Sequence, residues 1–248
     1  MTLSDFFREY PRAALAFSGG VDSAYLLYEA VQHQADIRPY FIKTDFQPAF
    51  ELADARRLAK ELGVELTVIE YDILDNPLIR ANPADRCYYC KRTLFSRLRQ
   101  AAIDDGYDML LDGTNASDDA DDRPGMKALK ELEIRSPLRE CGLTKADIRQ
   151  RSKQAGLFTW DKPAYACLST RIPTDQPLSA PLLRNVERAE DALREMGFSD
   201  FRVRVFHGAA RLQLPERQWP QAMKQRDALL QALKPYFSVT MLDLEVRV

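Results

Sequence analysis

The stretch Phe17-Ser18-Gly19-Gly20-Val21-Asp22-Ser23 decides the fold. It follows the apolar run Ala13-Ala14-Leu15-Ala16. It precedes Tyr25, Leu26, Leu27, Ala30 and Val31, which share one side of a helix. A buried strand therefore runs into a small-residue turn that opens a helix. The first N–H groups of that helix have no internal partner, and its dipole adds about half a positive charge. Such a turn binds phosphate. Gly19 and Gly20 allow close backbone approach, and Ser18 and Ser23 add hydroxyl donors. Asp22 binds a bare phosphate poorly, so it implies a metal ion beside it. The Lys of a Walker loop is missing after the second glycine, and the spacing is not that of a dinucleotide fingerprint.

Working outward, strands are expected at Ala13–Phe17, Ile37–Lys43, Val64–Tyr71 and Tyr107–Asp112, with helices near 22–35, 48–62 and 91–103. Alternation with continuously apolar strands predicts an α/β fold, a doubly wound parallel sheet. Ligands in such sheets sit at the carboxyl ends of the strands. Those ends carry Ser18–Ser23, Lys43-Thr44-Asp45, Tyr71-Asp72 and Asp112-Gly113-Thr114-Asn115. Residues 114–142 form a long polar stretch, and Thr144 with Asp147 approximates a capping box for a helix over 144–155. A loop rich in chemically active side chains follows, from Trp160 to Pro173. Pro173, Pro177 and Pro181 mark a boundary, giving residues 1–173 as one domain and 174–248 as a small α+β subdomain. The latter is read as a helix near 179–196, a hairpin Phe201–Phe206 and Ala210–Leu214, a helix near 216–233 and a last strand near Val239–Val246.

The 248 residues suffice for one large domain with an appendage, and a 46% hydrophobic content supports a sizeable core. The net charge of −2 supplies no global field for nucleic acid. No apolar run approaches the ~20 residues that span a bilayer, and the mixed, charged start lacks a signal-peptide core. A cytoplasmic location is expected, where the four cysteines stay reduced and serve chemistry or metal.

Arg86-Cys87-Tyr88-Tyr89-Cys90-Lys91 places a CxxC at a helix start beside two cations, a setting suited to reactive or metal-binding thiols. His33 and His207 lack ligand spacing, so a four-ligand zinc site would have to recruit Cys141 and Cys167. Arg171 stands close enough in sequence to activate Cys167 and to hold an anion. Cys141 reads as an inert, buried thiol.

The string SGGVDS resembles the pyrophosphate loop of ATP pyrophosphatases, which cut ATP between its α and β phosphates. In order along the chain, SGGVDS, RCYYCK, DGTNASDDADDRPG, RSPL, GLTKADIR, WDKPAYACLSTRIP, VERAE and RVRVFHGAARL resemble the LarE family, from about Leu15 to Leu214. The resemblance implies an ATP- and Mg²⁺-dependent sulfur insertase. Its substrate is pyridinium-3,5-biscarboxylic acid mononucleotide, a precursor of the nickel-pincer nucleotide. The family adenylates a ring carboxylate and converts it to a thiocarboxylate.

Carried over by residue, Cys167 matches the sulfur-bearing cysteine, and Ser18, Gly19, Gly20, Asp22 and Ser23 match the pyrophosphate loop. Ser169, Arg171, Arg202 and Arg204 resemble the set around the substrate phosphate and carboxylates, groups that Arg binds bidentately. Tyr88 or Tyr89 is the candidate for stacking on the pyridinium ring. Glu190 is a candidate neighbour of Cys167 or of a metal. Gln213 stands where some members carry an acid. Lys43 and Lys91 are candidates for offsetting pyrophosphate charge, and Gly113 for lining the nucleotide site. Asp118, Asp119, Asp121 and Asp122 are candidates for Mg²⁺, and Arg123 and Arg135 for ATP or substrate. Cys87, Cys90 and Cys167 form the three-cysteine pattern of the branch that holds a 4Fe–4S cluster with one free iron. In the other branch a single cysteine gives up its sulfur and becomes dehydroalanine. Homo-oligomers are usual in the family. Two rivals share the loop: a tRNA thiolase, which needs an RNA-binding surface, and an ammonia-using ligase resembling NAD synthetase, which needs no Cys167.

Overall fold

A computed structural model of the chain describes residues 1–118 and 124–247; Asp119, Asp121, Asp122 and Arg123 lie outside the described residues. The helices are α1 (Leu3–Glu9), α2 (Val21–Gln32), α3 (Ala49–Glu61), α4 (Pro77–Arg80), α5 (Arg86–Asp104), α6 (Pro124–Glu131), α7 (Pro137–Glu140), α8 (Lys145–Gln154), α9 (Ala180–Glu195), α10 (Trp219–Lys224) and α11 (Arg226–Leu233). The strands are β1 (Arg12–Ala16), β2 (Asp36–Lys43), β3 (Thr67–Glu70), β4 (Leu110–Leu111), β5 (Arg202–Phe206), β6 (Ala209–Gln213) and β7 (Thr240–Leu242).

The chain divides into two compact units. One comprises residues 1–72 and 85–162, the other 73–84 and 163–248. In the first, a four-stranded sheet has the order β3-β2-β1-β4, and all its pairings are parallel. The order reverses at β1, so the carboxyl end of β1 is the switch point where such sheets bind ligands. Both faces are covered, as the apolar run of β1 requires. Ala13 and Leu15 pack with the buried side of α2, Leu26, Leu27 and Ala30. Ala14 faces the other way, toward Leu98 and Ala102 of α5. Thr144 caps α8 through the expected capping box with Asp147.

The second unit holds a three-stranded sheet in the order β5-β6-β7. β5 and β6 form the expected hairpin, and β7 joins parallel to β6. The division falls at 162/163, eleven residues before the proline-marked boundary. Two sets of contacts explain it. The Asn82 amide donates to the carbonyls of Pro173 (2.8 Å) and Gln176 (3.1 Å), which ties residues 73–84 to this unit. The loop before Pro173 is anchored by Arg171 to α9 and by Arg202 to the Ala164 carbonyl. The helix expected near 216–233 is interrupted at Gln225, giving α10 and α11. Among the described residues no helix is long and apolar enough to cross a membrane.

Leu26 is fully buried between helix and sheet. Leu26→Ala is expected to cost about 2–5 kcal/mol of stability, read as a lowered urea midpoint at unchanged slope.

Candidate active site

The turn after β1 is built as an anion cradle. Phe17 still pairs with β2, its N–H donating to the Tyr40 carbonyl at 2.8 Å. Gly19 then takes φ +70°, in the left-handed region open to glycine. A Cβ there would meet the Glu51 carbonyl oxygen at 3.0 Å and the Ala55 nitrogen at 3.2 Å, so the turn lies directly against α3. Gly20 is the N-cap of α2 and supplies no side-chain cap. Across the loop, Ser18 Oγ lies 3.1 Å from Ser23 Oγ, and Ser23 Oγ donates to the Gly20 carbonyl at 3.3 Å. Gly113, after β4, closes in from the other side: a Cβ on it would stand 2.9 Å from the Ser23 nitrogen.

Asp22 lies in the first turn of α2. Its Oδ2 accepts from Lys145 Nζ at 2.5 Å. Its Oδ1 is buried with no partner among the described residues. Burial raises the Asp22 carboxyl above the usual carboxylate range, against the pull of Lys145. A buried, unpartnered carboxylate oxygen beside an anion cradle fits a divalent cation bound with a phosphate ligand. Lys145 opens α8, and its backbone N–H donates to Ser117 Oγ at 3.0 Å. It was missed in the sequence although it lies inside the GLTKADIR motif; nothing local shows that the first residue of α8 reaches α2. Lys43, by contrast, donates to the Gln47 carbonyl in its own loop. Arg135 is bound by Glu140 at 2.9 Å, and Asp118 Oδ2 accepts from the Asn115 N–H at 2.9 Å.

On α5, Cys87 is exposed, with Arg86 Nη2 at 3.7 Å from its sulfur. Tyr88, the stacking candidate, donates its hydroxyl to Glu131 at 2.8 Å, and Lys127 lies over its ring. Cys90 lies three residues on, partly buried.

In the second unit Cys167 precedes a short 3₁₀ turn, Leu168–Arg171. Its Sγ is 3.0 Å from Ser169 Oγ. A buried ion pair holds this turn: Arg171 Nε donates to Glu190 Oε1 at 2.8 Å, and both side chains are 1% exposed. Glu190 also accepts from the Tyr165 hydroxyl (2.5 Å) and the Val203 N–H (3.0 Å). Both carboxylate oxygens therefore serve the loop and β5. Burial and the Glu190 charge hold the Tyr165 phenol protonated. The sequence showed no partner for Tyr165, because α9 and β5 enter only through the fold.

Arg202 and Arg204 differ from Arg171: among the described residues neither donates a hydrogen bond to a carboxylate. Arg202 donates to the carbonyls of Phe201 (2.6 Å) and Ala164 (2.5 Å). Arg204 donates to the Thr170 carbonyl (2.9 Å) and to Gln213 Oε1 (3.0 Å). Gln213 thus orients Arg204. Burial, then Arg171 and Arg247, lowers Arg202 to about 10. Burial and Arg171 also lower Arg204. Glu190 and Asp243 offset this only in part, so an added anion would stabilise the cluster.

Glu190→Ala would leave Arg171 buried and unpaired. The expected loss is about 3–5 kcal/mol in chemical denaturation.

No protein-family model matches this chain. It is 39% identical over 222 residues to an uncharacterized protein of Synechocystis, spanning 88% of this chain and 82% of that one. It is 35% identical over 217 residues to the pyridinium-3,5-bisthiocarboxylic acid mononucleotide synthase of Lactiplantibacillus plantarum, spanning 87% of this chain and 79% of that one. A more distant match, 24% identical over 48% of this chain, is the tRNA-specific 2-thiouridylase MnmA of Thermotoga petrophila. With both chains covered over most of their length, this protein belongs to the LarE family of pyridinium-3,5-bisthiocarboxylic acid mononucleotide synthases.

Proposed function

We propose that this enzyme adenylates a carboxylate of pyridinium-3,5-biscarboxylic acid mononucleotide with ATP and converts it to a thiocarboxylate. The observation that carries the reading is the uncapped α2 N-terminus beside Asp22, whose buried Oδ1 has no partner among the described residues. A carboxylate is a poor electrophile. Attack of its oxygen on the α phosphate, with pyrophosphate leaving, makes an acyl-adenylate from which AMP departs readily. The N–H groups at the start of α2 and the Ser18 and Ser23 hydroxyls receive the leaving pyrophosphate. Asp22 would hold Mg²⁺, which supplies charge neutralisation at the phosphates. Lys145, whose ammonium donates to Asp22 Oδ2, would add positive charge beside the phosphates. Lys43 and Gly113 complete the nucleotide side of the proposal. On the acceptor side, Arg202, buried, and Arg204, half-buried, receive the phosphate and carboxylate groups, which compensate their charge.

Cys167 delivers the sulfur. The three-cysteine pattern supports a 4Fe–4S cluster on Cys87, Cys90 and Cys167 as carrier. Among the described residues no three of His, Cys, Asp and Glu are gathered as a metal-binding group. A second reading uses Cys167 alone, whose Sγ lies 3.0 Å from Ser169 Oγ. The Cys167 thiolate displaces AMP to form a thioester. Loss of the Cα proton with cleavage of the Cβ–S bond then yields the thiocarboxylate and dehydroalanine. The proposal includes a cytoplasmic homo-oligomer.

Three measurements test this. Cys167→Ala is expected to release pyrophosphate from ATP in the presence of substrate and to form no thiolated product. An unchanged yield of amide or thiolated product would point to an ammonia-using ligase or an external donor. Anaerobic iron and labile-sulfide assay, with mass spectrometry after turnover, separates the two sulfur sources: bound iron with intact Cys167 marks the cluster, and loss of H₂S from Cys167 marks sacrifice. Arg202→Leu is expected to raise the KM for the mononucleotide about tenfold or more, near 1.4 kcal/mol, in steady-state kinetics.

A further inference from the structure

We propose that Lys162 is a positioning residue of the pyrophosphate loop: its ammonium pins the Gly19–Gly20 peptide so that the Gly20 N–H faces the bound phosphate. The inference rests on the ATP reading above. Lys162 Nζ donates to the Gly19 carbonyl at 3.1 Å and to Asp54 Oδ2 at 2.6 Å. Both partners belong to the same compact unit as Lys162.

Three observations make this more than a surface ion pair. First, the contact is to backbone, at the one loop residue with positive φ. In a planar trans peptide the carbonyl and the following N–H point in opposite directions. Holding the Gly19 oxygen therefore aims the Gly20 hydrogen. A peptide between two glycines has little steric preference of its own, and among the described residues the Gly20 N–H makes only a long 3.3 Å bond to Ser18 Oγ. Second, Asp54 lies on α3, against whose backbone Gly19 is already wedged. The ion pair fixes Lys162 to the surface that shapes the turn. Third, the backbone of Lys162 is itself held. Arg149 donates to the carbonyls of Lys162 (2.6 Å) and Trp160 (2.7 Å). Lys162 Nζ and Asp54 Oδ2 are drawn from separate elements, and the lysine side chain is only 20% exposed. An aimed N–H contributes in the bound state without having to reorient, which is the advantage of preorganised donors.

The test compares Lys162→Met, Lys162→Arg and Asp54→Asn with wild type, by ATP binding and by substrate-dependent pyrophosphate release. Lys162→Met removes the donor and is expected to raise the KM for ATP about tenfold and to lower kcat, with the melting temperature within about 4 °C of wild type. Lys162→Arg keeps a charged donor and is expected to recover much of the loss. Asp54→Asn keeps a neutral acceptor for Nζ and the contact to Gly19, and is expected to fall between wild type and Lys162→Met. Kinetics of Lys162→Met equal to wild type overturn the proposal. So does a Lys162→Arg variant as damaged as Lys162→Met, and so does a Lys162→Met protein that fails to fold, which would make the role structural. Wild-type protein that binds no ATP overturns the ATP reading and this inference together, whereas failure of the variants alone overturns only the latter.

Discussion

The structure depends on the close confinement of one turn. After β1 the chain must reverse into α2 within a few residues, pressed against α3 at Gly19 and against Gly113 at Ser23. Backbone atoms approach so closely that side chains are excluded, and the N–H groups at the start of α2 are left to whatever anion arrives. The parallel sheet, its switch point at β1 and the helices on both faces keep this turn in place. Asp22 shows what that costs. Its carboxylate is held in a buried position where its charge is disfavoured, offset in part by Lys145. Such a group is held ready for a ligand rather than for stability.

The second unit applies the same logic with opposite charge. Glu190 collects Arg171, Tyr165 and the Val203 N–H, and so joins the cysteine loop to α9 and β5. Arg171 is neutralised by this arrangement. Arg202 and Arg204, bound mainly to carbonyl oxygens, are not. One buried pair thus sets the loop, and beside it stand a buried Arg202 and a half-buried Arg204, which donate mainly to carbonyl oxygens. Arg171 was expected at the substrate and Glu190 near Cys167 or a metal; in the structure the two pair with each other and hold the loop, and the proposal gives the anionic groups to Arg202 and Arg204.

Much of this was legible in the sequence because it depends on local order. The strand–turn–helix signal at Ser18–Ser23, the Thr144 cap, the β5–β6 hairpin and the cysteine positions each follow from residues close along the chain. The boundary at 162/163 was not legible, because prolines mark breaks in regular structure and not the contacts that gather a unit. The pairing of Asp22 with Lys145 spans 123 residues and that of Gly19 with Lys162 spans 143. No pattern within a window of a few turns contains either one.

The sequence by itself determined the chemistry on offer: a phosphate-binding turn, an acid beside it, a reactive cysteine in an arginine-bearing loop, and the family to which these belong. Local geometry and side-chain type suffice for that. Tertiary structure alone decided which charges are spent and which remain. Burial and neighbours distant along the chain tie Arg171 to Glu190 and Lys145 to Asp22 Oδ2. Among the described residues they leave Asp22 Oδ1 unpartnered, and Arg202 and Arg204 donating to carbonyl oxygens and Gln213. The physical reason is that the electrostatic state of a side chain depends on its distance to other charges and to water, and the fold sets both.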